Sequence, residues 1–197
     1  MKRTHFLKNI IGFGVFPIWA CQSRDNNKNQ LPNVTGVNAE NKENEEAGLK
    51  EELHLAWLKS EEMTLINVEQ MPPELFTFKY TEEAMTFSEQ WRHCVIYTCG
   101  QLAGRTGLQN PYENVKLPVQ MKKESVIREL KKMYGFVHQS IKEMPLEKLL
   151  AKCEFAGDVI PVWRLFYAME NHIIHHRGQC VVYLRLNGVV PKGFYGW

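Results

Sequence analysis

A chain of 197 residues with 44% apolar side chains can bury one sizeable core, which excludes wholly disordered and fibrous architectures. The formal charge of +2 hides a division: Lys2, Arg3 and Lys8 precede the first acid, Asp25, and the rest of the chain is near neutral. Phosphate binding needs a clustered basic face, so nucleic acid is not an expected partner.

In chain order, MKRTHFLK reads as a basic leader, NIIGFGVFPIWA as an apolar run too short to span a bilayer comfortably, and Ala20-Cys21 as its close. Ile18-Trp19-Ala20-Cys21 resembles a bacterial lipobox, with Ile18 where leucine is usual and the bulky Trp19 as departures. The expectation is a signal peptide over 1–21, with lipidation at Cys21 and a membrane-anchored place in the bacterial cell envelope. The alternatives are a non-lipid signal or a cytoplasmic N-terminus. Residues 22–45, rich in Asn, Gln and charge, read as a flexible tether, leaving 46–197 for the folded domain.

Four helices are expected in that domain. Leu49, Leu53, Trp57, Leu58 and Leu65 recur at helical spacing from Glu46 to about Gln70, where Met71-Pro72-Pro73 ends the pattern. Thr81 is a plausible N-cap for a second helix that runs to about Arg105. Gly107 to Pro118 reads as a loop, and Lys122 to Glu143 as the third helix. The fourth starts near Val159 or Pro161 and runs to Leu186, before Asn187-Gly188. With no convincing strand alternation, the fold class is all-α, a four-helix bundle.

The last helix carries NHIIHHRGQC. At 100° per residue from His172, Leu165 and Tyr183 fall at about 20°, His176 at about 40°, Met169 at about 60° and Cys180 at about 80°, while His175 lies near −60°. His172 and His176 therefore share the apolar stripe, four residues apart, where two imidazoles can bind one ion. The alternative is a pair of hydrogen-bonded core histidines, although two within one turn repeat the desolvation cost of a polar group. A metal needs at least one more ligand, and His54, His93 and His138 are available. His93 shares its face with Thr86, Gln90 and Tyr97, a polar stripe that favours it modestly.

HHRGQCVVYLRLNGVVP is similar to the C-terminal helix signature of the DinB-like superfamily, an HxxxHHxGQ run followed by YLR-x-x-G-x-x-P. MPPELFTFKYTEEAMTFSEQWRHC resembles that family's loop and second helix, and together the segments cover roughly 47–197. The resemblance implies a four-helix bundle holding a divalent metal on three histidines, which here are His93, His172 and His176. Gln179 and His175 then fall just outside the ligands, with Gln179 placed to orient a ligand or bound water.

Three imidazoles with open positions suit a metal that activates water or a thiol. Zinc or nickel fits first, with iron or manganese next. In characterised relatives the bundle supports thiol-dependent transfer, so the resemblance implies a metal-dependent hydrolase or a thiol S-transferase acting on a small molecule. Export from the cytosol pulls against a cytosolic thiol as co-substrate. The alternatives are a non-catalytic metal- or ligand-binding lipoprotein and a purely structural bundle. A second copy of the chain is a further expected partner. Glu89 is a weak candidate base that reads first as a capping or solvated acid. Cys94, Cys99, Cys153 and Cys180 read as free thiols, with Cys180 worth weighing as an added ligand.

Overall fold

The computed structural model describes residues 39–193. The signal segment, its Cys21 and residues 22–38 of the tether lie outside the described residues. Helix α1 spans Ala39–Gln70, so it starts at Ala39 rather than Glu46. Ala, Glu and Lys dominate this first stretch and are strong helix formers, and acids near a helix N-terminus complement its dipole. Proline closes α1: Pro72-Pro73 opens a single 3-10 turn, Pro73–Leu75.

Helix α2, Phe87–Thr106, begins later than the expected Thr81 cap. The true cap is Thr86. Its hydroxyl accepts from the Glu89 amide at 3.2 Å, and the Glu89 carboxylate accepts from the Thr86 amide at 2.8 Å. This reciprocal capping box satisfies two orphan donors, where Thr81 has no such partner three residues on in register with the apolar face. Gly107, at φ 73°, ends α2 in the left-handed region that glycine enters without a Cβ penalty. Helix α3 spans Lys123–Glu143, close to the expected range.

The segment before the last helix departs from expectation. A short helix α4, Leu146–Leu150, is followed by strand β1, Lys152–Phe155, paired antiparallel with strand β2, Asp158–Pro161. Ala156 (φ 54°) and Gly157 (φ 89°) form the two-residue turn between them. Positive φ at both positions is what this hairpin geometry requires, but an Ala-Gly turn lacks the Asn-Gly or Asp-Gly signal, and four-residue strands are too short to show alternation. Helix α5, Val162–Leu186, follows with Pro161 at its N-cap.

The four long helices form the bundle. Helices α1 and α3 run antiparallel: Lys123 donates to the carbonyls of Glu69 and Met71 at one end, while Tyr134 meets Thr64, and His138 meets Glu61, further along. Helices α2 and α5 are also antiparallel, with Met85 opposite Tyr183 and His93 opposite His172. Parallel α2 and α3 need a connector that returns along the bundle, and residues 107–122 supply it. Arg92 holds that connector at the Leu117 carbonyl (3.3 Å), and Ser88 holds it at the Gln120 side chain (3.0 Å). Trp57, Trp91, Tyr134, Tyr183, Phe87 and Phe166 are the largest fully buried side chains, and they fill the space between the helices.

Candidate metal centre

Residues His93 of α2 and His172 and His176 of α5 meet where the two helices cross. His172 Nε2 lies 3.1 Å from His93 Nε2 and 3.1 Å from His176 Nε2. The three ligand atoms all fall within 4.8 Å of one another, the one such group among the described residues. Four-residue spacing on α5 stacks two rings one turn apart, and the antiparallel pairing brings the third across from α2. Tetrahedral bonds of 2.0–2.1 Å would set neighbouring nitrogens about 3.4 Å apart, so the two 3.1 Å contacts at His172 are a few tenths of an ångström from that spacing. One nitrogen facing two others cannot satisfy both by hydrogen bonding with a single proton. A shared cation suits all three.

The electrostatics agree. Burial, followed by the neighbouring imidazoles, holds His172 and His176 down to about 4. Burial and then the Arg92 charge lower His93. All three are therefore neutral at pH 7, with nitrogen lone pairs available to a cation. Tyr97 packs against this group, its ring 4.4 Å from His172 and stacked on His93 at 5.4 Å. His172 Nδ1 is buried without a partner, a cost the site bears.

His176 has a partner for its other nitrogen. Its Nδ1 makes a short hydrogen bond to Gln90 Oε1, and Gln90 Nε2 donates to Gln179 Oε1 at 3.1 Å. Gln179 Nε2 in turn lies 2.8 Å from Nε2 of the exposed His175. Gln179 thus acts on the cluster through Gln90, and His175 stands edge-on to His176 with no part in the trio. Sequence reasoning placed Gln90 on the polar stripe with His93 but assigned it no role; its place one turn from His93 on that stripe was the available signal.

The other candidates separate cleanly. His138 pairs with Glu61 at 3.0 Å, and the His54 ring packs edge-on against it, so neither reaches the trio. Glu89 is committed to its cap, and the Thr86 amide draws its carboxyl below the ordinary value. Cys180 is fully buried and burial pushes its thiol well up, which keeps it protonated; it does not join the cluster. Cys94, Cys99, Cys153 and Cys180 are all free thiols, as expected, with Cys153 the least buried.

The family profile that matches this chain is DinB, over residues 40–197. The chain belongs to the DinB family. Its bundle is similar to a DinB-like protein of Bacillus cereus, with 22% identity, a TM-score of 0.62, and coverage of 74% of this chain and 97% of that one. It is also similar to a DinB-like protein, YjoA, of Bacillus subtilis, with 18% identity, a TM-score of 0.60, and coverage of 73% and 97%. No curated protein matches the chain. Within this DinB bundle, the three-histidine group is an arrangement that can hold a divalent metal ion.

Proposed function

We propose that this DinB protein is a metal-dependent enzyme that acts on a small molecule, as a hydrolase or a thiol S-transferase, with His93, His172 and His176 as the ligands. The observation that carries the reading is the grouping of three neutral imidazole nitrogens within 4.8 Å of one another, with that of His172 3.1 Å from each of the other two. His93 and His172 are half-buried and only His176 is buried, so the cluster lies near the surface rather than sealed in the core. A divalent ion held there would act as a Lewis acid toward water or a thiol. Zinc or nickel suits an all-imidazole set, ahead of iron or manganese.

The chain's own residues support binding more than proton transfer. Among the described residues no carboxylate joins the trio, and Glu89 is occupied by its capping bond. A cation loosens the proton of a bound water as it does that of a bound thiol, so either nucleophile can form at this site without such a base. The full-length protein purified without chelator should carry about one divalent ion per chain by elemental analysis. Metal well below that level after supply with zinc or nickel would refute the reading.

The same proposal places the protein in the cell envelope, anchored by a lipid on Cys21. The support is the basic leader, the short apolar run and the small residue before that cysteine. Palmitate labelling of cells should mark the wild-type protein and vanish in Cys21→Ser; labelling that persists in the variant excludes the anchor.

A further inference from the structure

Tyr183 belongs to the YLR part of the C-terminal signature, two helical turns past His176, and the metal reading gives it no task. It is fully buried, yet its hydroxyl is fully employed. Tyr183 Oη donates to the Met85 carbonyl at 2.5 Å and lies 3.4 Å from Gln90 Nε2.

A chain of necessities runs from that carbonyl. A backbone carbonyl can only accept, so the single phenol proton is committed to Met85. The phenol oxygen then offers only lone pairs toward Gln90, which must meet it with its NH2 group. Gln179 Oε1, at 3.1 Å, takes the second hydrogen of that NH2 group. The Gln90 carbonyl is thereby turned to His176 Nδ1, which must carry the ring proton. In a neutral imidazole that leaves Nε2 bare, and Nε2 is the atom that faces His172.

We infer that Tyr183 is a positioning residue: through Gln90 it fixes the ring tautomer of His176 that leaves Nε2 free to bind a cation. The inference rests on the metal reading of the histidine trio. Reversing the Gln90 amide would present NH2 to His176 Nδ1, move the ring proton to Nε2 and block the ligand atom. The Met85 carbonyl forbids that reversal at a distance of two side chains. The polarity continues outward without conflict, because Gln179 then donates to His175 Nε2 at 2.8 Å.

The test compares Tyr183→Phe, Gln90→Leu, Gln90→Glu and the double variant Gln90→Glu/Tyr183→Phe in the full-length protein. Zinc affinity is read by competition titration, and the His176 tautomer by nitrogen-15 NMR of the metal-free protein. Groups behind a metal ligand typically carry about 10- to 100-fold in affinity. Gln90→Leu should lose that much and Tyr183→Phe about tenfold, with the His176 proton no longer confined to Nδ1. A carboxylate can only accept, so Gln90→Glu should keep the proton on His176 Nδ1 without help from the phenol; its second oxygen meets the phenol's lone pairs in place of the NH2 group, so Tyr183→Phe should cost no further affinity in that background. Equal losses from Tyr183→Phe with Gln90 and with Gln90→Glu would mean that the phenol acts by packing, and would overturn the inference. So would an unchanged affinity and tautomer in Tyr183→Phe. If the wild type binds no zinc, the metal reading fails alone, because the NMR tautomer still decides the relay. Should Gln90→Leu fail to fold, the Tyr183→Phe comparison in the two backgrounds decides by itself.

Discussion

Alanine in place of His176 is expected to abolish stoichiometric metal binding while leaving the bundle folded. In the proposed site the imidazole is one of three ligands, and its Nε2 is 3.1 Å from that of His172, so its removal breaks the cluster rather than loosening it. The loss should exceed the roughly 10- to 100-fold typical of groups that merely support a ligand. His93→Ala and His172→Ala should behave alike, and His175→Ala should retain the ion, because the His175 ring only stands edge-on to His176 and its Nε2 meets Gln179 instead of the trio. A linked measurement separates binding from folding. An ion at a hundred times its dissociation constant raises stability by about 2.7 kcal/mol, so wild-type melts should fall on adding chelator and His176→Ala melts should not. Near-stoichiometric metal in His176→Ala would remove it from the ligand set.

The largest expected loss of stability lies nearly two turns before His93 on α2, at Phe87. This residue opens α2, is fully buried, and packs edge-on against Phe76 (5.1 Å) and Trp91 (6.1 Å), with Tyr183 tilted beside it at 6.3 Å. Phe87→Ala empties the centre of that aromatic group, which joins the loop after α1 to helices α2 and α5. A buried Phe→Ala change costs about 3–5 kcal/mol through lost transfer energy and a cavity that closes only in part. Against a total near 5–15 kcal/mol, that is a large share. Urea unfolding should show the midpoint falling sharply with an unchanged slope, and a loss below about 1 kcal/mol would mean that the neighbouring rings collapse to fill the space. Because Tyr183 forms part of the same group, the aromatic core also holds the phenol that faces Gln90.

Helices were legible where two local signals agreed. The third helix shows both, an apolar repeat and a proline after its end, and it falls within one residue of expectation. Pairing His172 with His176 was also local, since spacing alone puts them on one stripe. His93 needed more: the residues left His54, His93 and His138 open, and the family resemblance chose among them. The beginning of α2 was misplaced because two threonines precede an acid-containing turn, and the Thr86-x-x-Glu89 spacing that marks the true cap, where Thr81 is followed by Ala84, was overlooked. The hairpin at 152–161 escaped notice because its strands have four residues each and its Ala-Gly turn carries no strong signal.

By itself, then, the amino-acid sequence determined the quantities that depend on neighbours along the chain: four long helices, their apolar faces, and the His172/His176 pair. Tertiary structure alone decided which helices touch and in which direction. Parallel α2 and α3, joined by the returning connector, leave α2 antiparallel to α5, and this sets His93 against His172 across 79 positions of sequence. It also decided which atoms of each polar side chain are engaged. Gln90, Gln179 and Tyr183 are scattered over the chain, and each amide or phenol fits many partners in isolation. Hydrogen bonds are directional and short-ranged, so their polarity is settled only when packing brings the Met85 carbonyl, Tyr183, Gln90 and His176 into line.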